Sequence, residues 1–586
     1  MPDGKPRHVD EANQATGEKS LEFLLFSGDY ESVLARQLIT SGMHPAAVGA
    51  FALSGRLDEA QSALRALIDE SAESADVPQA RFYLIAGFCH AGQAQKGLRL
   101  VRECLGDLAE TDPRVRFWIW QGLALVRFFE GRFGLARAAG RRALASATQA
   151  RFPYARVLAL DLLAQAFVLT GHVHAGLRML EQAVSLADAL GYAQNSVTLR
   201  TSALVYRMQY LLGPLAETTQ AVVEAVSNPD VSYFARRNAL IELASSWAIQ
   251  GRSDLARAAL DDARAIALPG SDRRARTRWL GALALVTAVS EGQEPAREVM
   301  LEALAEAGSQ VTLLAELAFV EALFLGASNE LKGDLPRLER TTGMSRAVFA
   351  AAHALGRELP NTRQAGDGLC KLLADCLRAE SQRRASLLIE HGLFGLVPWA
   401  LGRPPAQSLI LTDEHLLTEN RGRVSIHPAP KGPSLKVLQL LGTGFQSREQ
   451  LAQQVWGLGR YHPDRHAAVI NTALSRLRAS LEQPGWLVTH EDGYHLASGV
   501  DLLNLEQPSE SKPANSPPPP LEEHRLLGVL GSGPATSTEV ARQLQLSPSS
   551  VLRLLRRLAE RGVVIRQGSG RNTRYALAAS AGEPRC

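Results

Sequence analysis

The sequence predicts a mainly α-helical fold, in which a solenoid of helical repeats precedes two small helical modules that each end in a β-hairpin. Three observations predict it. Alanine, leucine and arginine dominate the 586 residues and aromatic residues make up only 6%, a composition that favours helix over sheet. Glycine recurs at nearly regular intervals in the first half of the chain. After residue 408, short helical segments alternate with strand-like segments.

The composition also limits the classes of function. The 63 Lys and Arg residues against 60 Asp and Glu give a formal net charge of +3, so a nucleic-acid site has to come from local basic patches. Residues 1–20 lack the apolar core of a secretory signal, and no apolar run approaches the roughly 20 residues that span a bilayer. No C-x-x-C pair occurs among Cys89, Cys104, Cys370, Cys376 and Cys586, which favours a reducing compartment. We therefore expect a cytoplasmic protein without a membrane segment.

The regularly spaced glycines predict turns between paired helices. Successive spacings of 37, 39, 40, 42, 38 and 41 residues, by subtraction, separate Gly55, Gly92, Gly131, Gly171, Gly213, Gly251 and Gly292. A period near 40 residues is typical of a helical solenoid. A small residue follows five positions after several of these glycines, as in Gly97 and Gly176. We expect the glycine to adopt positive φ and the small residue to let the two helices approach closely.

This pattern resembles the tetratricopeptide repeat family, in the longer variety found in large bacterial regulators. The resemblance covers most of residues 45–310, although the Trp and Tyr of the 34-residue consensus are largely missing. We assign residues 1–20 to a disordered N-terminus, residues 21–326 to the repeat array and residues 327–407 to a helical capping or coupling region.

The resemblance implies a concave groove that binds a protein or peptide segment, or a small ligand. Arginine and aromatic side chains of the array could line it, and their alternative role is packing in the core. The candidates are Arg81, Phe82, Tyr83, Arg116, Phe117, Trp118, Tyr206 and Tyr210.

Residues 408–502 read as strands, three helices and a hairpin. Residues 409–412, 415–417 and 424–426 predict strands, and residues 434–441, 447–457 and 465–482 predict helices. Ser447 and Gln450 form a capping-box pattern at the start of the second helix. Strands at 486–489 and 494–496 flank an acidic turn at Glu491 and Asp492.

This order resembles the winged-helix effector domain of OmpR/PhoB-type response regulators. The matching segments are residues 447–451, 455–457, 475–478 and 493–496, and no receiver domain is visible upstream. The resemblance implies that the third helix enters the major groove of double-stranded DNA. The side chains expected to contact DNA are Arg448, Arg465, Asn471, Thr472, Ser475, Arg476 and Arg478. Asn471 is the candidate for reading adenine. Because the acidic turn repels phosphate, weak DNA binding or chiefly protein contacts stay open for this domain.

Residues 503–520 predict a linker, because a Pro- and Ser-rich segment that ends in four prolines cannot bury a core. Residues 521–578 then predict a second winged helix-turn-helix domain, with a tail at 579–586. Its three helices are expected at 521–530, 536–544 and 549–561, and its strands at 563–566 and 573–577.

This second domain resembles the winged helices of MarR-, ArsR- and IclR-type regulators, most closely over residues 547–562. Residues 521–586 contain ten Arg and five Glu, so this end of the chain is basic. The resemblance implies that the third helix faces a DNA groove and that the hairpin holds phosphate or the minor groove. The expected contacts are Ser549, Ser550, Arg553, Arg557, Arg566, Arg571 and Arg574.

Motifs for catalysis are missing from the sequence. It contains no P-loop, no H-E-x-x-H, no G-x-S-x-G and no clustered Cys and His residues, so we expect no enzyme, no cofactor and no metal site. The sequence therefore predicts a DNA-binding transcription regulator whose repeat array senses a signal, with a homodimer left open. The alternative is a non-enzymatic scaffold whose winged helices dock other proteins or form a dimer.

Overall fold

A computed structural model describes residues 20–27, 29–39, 42–71, 76–104, 112–266, 272–359, 367–481, 483–505, 521–531, 533–544, 548–560, 563–568 and 573–578. The N-terminus predicted over 1–20, the linker predicted over 503–520 and the tail predicted over 579–586 therefore lie largely or wholly outside the described residues. The chain divides into two compact units, residues 1–507 and 508–586.

The first unit begins with two short helices, Leu21–Ser27 and Tyr30–Gln37. Eight helix pairs follow in the described residues: Pro45–Leu53 with Leu57–Ser71, Asp76–His90 with Ala94–Glu103, Pro113–Phe129 with Phe133–Gln149, Pro153–Leu169 with Val173–Ala189, Ala193–Gln209 with Leu215–Val226, Tyr233–Ile249 with Ser253–Ala265, Arg273–Ser290 with Gln293–Ala307, and Val311–Val320 with Asn329–Thr342. A π-helical turn, Glu321–Gly326, extends the first helix of the eighth pair.

Each turn within the first seven pairs contains one of the predicted glycines, and all seven have positive φ. At Gly176, a Cβ atom would lie 2.5 Å from Val168 Cγ2 and 2.7 Å from the Ala164 carbonyl oxygen. A larger residue would therefore separate the two helices of this pair. The predicted role of the small residue is observed here.

The end of the array packs back against its earlier turns. The Thr312 hydroxyl donates to the Phe129 carbonyl at 2.6 Å, and Gly368 N–H donates to the Tyr210 carbonyl at 2.9 Å. Two further helices, Ser345–Ala354 and Gly368–Arg378, take part in this closure. The helical pairs therefore surround a central channel.

The predicted capping or coupling region is not one continuous helix over residues 381–400. The helix Ser381–Glu390 ends before Gly392, and a 3₁₀ turn, Phe394–Leu396, and a short helix, Val397–Ala400, follow it. A Cβ atom on Gly395 would lie 2.1 Å from the Ala248 carbonyl oxygen. The close approach of two backbones, rather than a continuous helix, joins this segment to the array.

The described part of residues 407–504 forms seven strands, three α-helices and a 3₁₀ turn, Pro484–Trp486. A four-stranded sheet has the order β3-β2-β1-β7, with β1 (Gln407–Leu411), β2 (His415–Asn420), β3 (Arg423–Pro428) and β7 (Val500–Asn504). A second sheet has the order β4-β6-β5, with β4 (Gln446–Ser447), β5 (Leu487–Thr489) and β6 (Gly493–Leu496). The helices are Pro433–Leu441, Arg448–Trp456 and Pro463–Ala479. The sequence did not predict β4 or β7, and β7 is parallel to β1.

The two central strands of the four-stranded sheet, β1 and β2, are buried on both faces. Leu409, Leu411 and Leu416 pack among the helices of residues 433–479. Alternate residues point to the opposite face of a strand, and Ile410 and Leu417 pack there into the core of the repeat array. The β2–β3 turn and the start of β3 also bind the array: Val424 N–H donates to the Gly251 carbonyl at 2.7 Å, and the Ser253 hydroxyl donates to the Gly422 carbonyl. We call this contact the array–sheet junction.

The second unit has its own core. Its helices are Leu521–Gly531, Ser537–Leu544 and Pro548–Glu560, and its sheet has the order β8-β10-β9, with β8 (Ala535–Thr536), β9 (Val564–Gln567) and β10 (Arg574–Leu577). Leu526, Val540, Leu555 and Leu558 are among its fully buried residues. The predicted fold class, a helical-repeat solenoid followed by two winged helices, is confirmed. No helix of the described residues is long and apolar enough to cross a membrane.

Candidate nucleic-acid interface and central channel

The helix Pro463–Ala479 has one buried face and one exposed face. Pro463 suits the first helical position, where no backbone N–H is needed. Ile470, Ala473, Leu474 and Leu477 are buried against the other two helices and the hairpin, at the spacing of one helical stripe. The opposite face is therefore free for a partner. We call this helix the first candidate recognition helix.

The structure brings five predicted DNA contacts together on this exposed face. Arg465, Asn471, Thr472, Ser475 and Arg476 are all exposed. Because these five side chains lie on one face of a single helix, they form a polar strip that can contact base edges when the helix enters a major groove.

Two of these side chains already have partners within the protein. The Thr472 hydroxyl donates to the Ala468 carbonyl at 2.7 Å. The Tyr494 hydroxyl, from β6, donates to Asn471 Oδ1 at 3.3 Å, so the amide nitrogen of Asn471 points away from the hairpin. This bond fixes which end of the Asn471 amide acts as the donor.

Arg478 and Arg448 are less free than the sequence predicts. The guanidinium of Arg478 donates to the Thr489 hydroxyl at 2.6 Å and ties the helix to β5. The Arg448 guanidinium lies 6.0 Å from the centroid of the Tyr494 ring, and its backbone N–H donates to the Asp492 carbonyl at 3.2 Å. Both arginines therefore also hold the hairpin in place.

Exposed apolar side chains beside the helix were missed in the sequence. Val469 lies on the helix itself and is 46% exposed, and Phe445, just before β4, is 50% exposed. Single exposed apolar side chains are common on protein surfaces, but Val469 shares the exposed face of the helix with the predicted DNA contacts and is therefore a candidate contact. The predicted acidic tip of the hairpin, Glu491 and Asp492, is exposed as well.

In the second unit, the helix Pro548–Glu560 occupies the predicted third position. The side chains of Ser549, Ser550, Arg553 and Arg557, and all of Arg571, lie outside the described residues. Arg566 and Arg574 are exposed on β9 and β10. Because Arg574 pairs with Gln567 and Arg566 pairs with Tyr575, the two arginines point to opposite faces of the hairpin. They would therefore contact a duplex at different places.

The second helix of this unit begins with a capping box between Thr536 and Glu539. Thr536 N–H donates to Glu539 Oε2 at 2.7 Å, and Glu539 N–H donates to the Thr536 hydroxyl at 3.3 Å. These hydrogen bonds lower the pKa of Glu539, and the helix entry is thereby fixed.

The central channel contains a cavity of about 440 Å³. Its walls come mainly from the first helices of successive pairs, which contribute apolar side chains such as Leu125, Phe128 and Phe234. Four arginines and four carboxylates also line it among the described residues: Arg237, Arg274, Arg278 and Arg346, and Asp161, Glu242, Asp272 and Glu316.

Most of these charges are paired inside the wall. Arg278 pairs with Glu242 and with Glu316, and Arg274 lies 3.6 Å from Glu316. Although burial opposes its charge, these carboxylates raise the pKa of Arg278. Asp161 is not ion-paired with a described residue, and burial raises its pKa to about 6.

Three of the eight side chains considered for the groove line the cavity, namely Phe82, Tyr206 and Tyr210. Tyr83, Phe117 and Trp118 are instead buried between helices. Arg81 donates to Cys104 Sγ and Arg116 to Gln149. The charged wall residues Arg237 and Asp272 were missed, because a charged residue in an amphipathic helix resembles a solvent-facing one. No group of three or more potential metal ligands occurs in the described part of the chain.

No curated protein is significantly similar to this chain in sequence. Among solved structures, a Rap protein complexed with competence and sporulation factor is 12% identical, with a TM-score of 0.42 over 64% of this chain and 97% of that chain. NprR in complex with its cognate peptide NprX is 11% identical, with a TM-score of 0.38 over 56% of this chain and 96% of that one. The apo form of the quorum sensor NprR from B. thuringiensis is 12% identical, with a TM-score of 0.33 over 58% and 95%.

A family model covers the end of the chain. Residues 517–574 match the MarR family, over the three helices and most of the hairpin of the second unit. The order of elements, the buried core and this match agree. The C-terminal segment of this chain is therefore similar to the winged-helix modules of the MarR family.

Proposed function

We propose that this protein is a sequence-specific DNA-binding transcription regulator of the cytoplasm. Both winged helices contact double-stranded DNA, and the repeat array senses a protein, peptide or small-molecule ligand in its channel. The OmpR/PhoB-type character of residues 408–502 is part of this proposal, as is the division of the first unit into an array, a capping region and a winged helix.

One observation carries the proposal for the first winged helix. The first candidate recognition helix buries Ile470, Leu474 and Leu477 and leaves a polar strip, including Asn471 and Arg476, free beside a hairpin. A helix that packed its polar residues inward would have no face to offer a groove. For the second winged helix, the MarR-family match supports the same role.

The array–sheet junction supports a route from ligand to DNA. The sheet beside the first candidate recognition helix shares its core with the array, through Ile410, Leu417 and Val424. A packed core moves between discrete arrangements rather than deforming continuously. A ligand that shifts the helices around the channel would therefore move the first winged helix with them.

A gel-shift titration of the full-length protein on a randomised duplex library, repeated at several salt concentrations, tests the DNA-binding proposal. Affinity should fall steeply with salt, because each phosphate contact releases a counterion. Asn471→Ala should relax the sequence preference, with a loss of about 1–3 kcal/mol at one position. Arg200→Ala is a matched control, because Arg200 is exposed on the array and pairs with Asp188.

The second winged helix is tested separately. The double substitution Arg553→Ala and Arg557→Ala should weaken binding at low salt and flatten the salt dependence, if these residues meet DNA. Unchanged affinity of this variant would remove them from the interface.

A second candidate function is favoured by the acidic hairpin tip. Glu491 and Asp492 are exposed where phosphate would approach, which suits a protein partner better than a duplex. The first winged helix would then be a docking module of a scaffold. Absence of DNA binding at low salt, together with retention of a defined partner by the wild type and not by Glu491→Lys/Asp492→Lys, would favour the scaffold.

A further inference from the structure

We infer that the channel binds its ligand through a carboxylate group and that Arg237 receives this group. The inference rests on the proposed role of the channel as the ligand site, and it adds the chemical class of the ligand. It depends on three features of the cavity wall: a buried cation with unused donors, an excess of donors over acceptors, and aromatic walls beside them.

Arg237 is only 2% exposed, yet its guanidinium is only partly used. One nitrogen, Nη2, donates to Asp272. Nε and Nη1 are buried without a hydrogen-bond acceptor in the described structure. The other oxygen of Asp272 already accepts the Ala275 N–H at 3.1 Å. Asp272 can therefore accept few further hydrogen bonds from Arg237.

The surroundings orient the guanidinium but do not supply a second anion. Arg237 lies 5.2 Å from the ring centroid of Tyr233 and 5.4 Å from that of Phe234. The Tyr233 hydroxyl is also near the guanidinium, but it is not negatively charged at neutral pH. Leaving charged donors buried and unpaired is unfavourable, so an incoming acceptor would be bound strongly here.

The rest of the wall shows the same imbalance. Arg346 Nε is buried without an acceptor, while Nη2 of the same guanidinium donates to the Gln209 carbonyl at 2.9 Å. Gln121 Oε1 is the one obligate acceptor among the unpartnered buried atoms of the described cavity wall. A ligand rich in acceptors, such as a carboxylate, matches a wall with surplus N–H donors.

Aromatic side chains next to the donors define the other part of the ligand. The Phe128, Phe129 and Phe234 rings line the same cavity, and burial of apolar surface against them would add affinity. The expected ligand therefore joins a carboxylate to an apolar group. A peptide C-terminus and a small carboxylic acid share this chemistry.

The test uses two probes of nearly equal shape, N-acetylphenylalanine and its uncharged amide, measured by calorimetry on the full-length protein. The acid should bind about tenfold or more tightly than the amide, because a hydrogen bond to a charged group is worth about that ratio. A tetrapeptide with C-terminal phenylalanine, as acid and as amide, distinguishes a peptide terminus from a small acid. Tighter binding of the tetrapeptide acid than of N-acetylphenylalanine would assign the peptide.

The variant for this test is Arg237→Gln/Asp272→Asn. It removes both charges of the pair, since the single change would leave the buried Asp272 carboxylate without its arginine. The preference for the acid should disappear in this variant and persist in Arg200→Gln, which changes an exposed arginine of the array. Thermal unfolding of both variants verifies that they are folded.

Equal binding of acid and amide by the wild type, or binding of neither probe pair, would overturn the inference. Retention of the preference in the double variant would do the same. DNA affinity is measured in parallel: a carboxylate that binds at Arg237 without changing DNA affinity supports the inference and contradicts the proposed sensing role. If acid and amide change the DNA affinity equally, the sensing role is supported and the inference of a carboxylate ligand is contradicted.

Discussion

Replacing Gly422 with alanine tests whether the repeat array and the first winged helix form one rigid body. Gly422 lies in the β2–β3 turn with a φ of +78°, and Arg421 before it has a φ of +48°. A Cβ atom on Gly422 would lie 2.4 Å from Ser290 Cα and 2.7 Å from the Val289 carbonyl oxygen. The turn would have to move away from the array to accept it.

The cost follows from these contacts. A left-handed backbone costs an alanine about 1–2 kcal/mol. Withdrawal of the turn also breaks the bonds from Val424 N–H to Gly251 and from Ser253 to Gly422, at about 0.5–1.5 kcal/mol each. The junction should therefore lose about 2–5 kcal/mol. Gly343→Ala is the matched control: Gly343 has a φ of +60° and no atom within 4 Å of an added Cβ, so it carries only the backbone cost.

Hydrogen exchange of the peptides that contain Val424 and Gly251 measures the effect locally, since a chain of this size does not unfold in two states. The Val424 amide should exchange about 5- to 150-fold faster in Gly422→Ala than in Gly343→Ala, from the difference of about 1–3 kcal/mol between them. Equal exchange in the two variants would refute the tight junction.

Three other predictions concern single side chains. Because burial raises the pKa of Asp161 from 3.8 to about 6, the folded state loses stability as pH rises from about 4 to about 6. Asp161→Asn should remove this loss and stabilise the fold by up to about 3 kcal/mol above pH 6, with no gain near pH 4. Identical thermal unfolding of variant and wild type at pH 7 would contradict this prediction. Tyr494→Phe should keep the hairpin packed but remove the hydrogen bond that orients the Asn471 amide. Discrimination for adenine in a library selection should therefore fall, while DNA binding at low salt is retained. An unchanged selection profile would exclude an orienting role for the Tyr494 hydroxyl. Ser447→Ala should lower the stability of the fold by about 0.5–2 kcal/mol and speed hydrogen exchange in the helix Arg448–Trp456, because both bonds of the Ser447–Gln450 capping box are present. Unaltered hydrogen exchange in this helix would show that the cap does not limit its opening.

Local features of the fold could be predicted from the sequence. The positive φ of Gly55 or Gly251 and the capping box at Ser447 depend on residues that are close in the chain, and their signals are correspondingly local. The exposed strip on the first candidate recognition helix follows from the spacing of its buried Leu474 and Leu477 in the same way.

Features that depend on distant pairing could not be predicted. The strand β7 pairs with β1 across about 90 residues, and its short sequence Val500–Asn504 has no alternation to mark it. Gly422 had the appearance of an ordinary hairpin glycine, although its carbonyl accepts a bond from Ser253, 169 residues earlier in the sequence. Arg237 illustrates the same limit, because its burial results from the closure of several helical pairs around it.

The two-sided burial of β1 and β2 has a consequence for how the molecule can be divided. The described residues of the second unit form a hydrophobic core of their own, which would stay intact if this unit were transplanted onto another protein. Residues 408–502 could not be transplanted in this way, because Ile410, Leu417 and Val424 would then face solvent. An inherited or engineered exchange of the first winged helix would have to carry along the sixth and seventh helix pairs of the solenoid, which contact it at Gly251, Ser253 and Ser290.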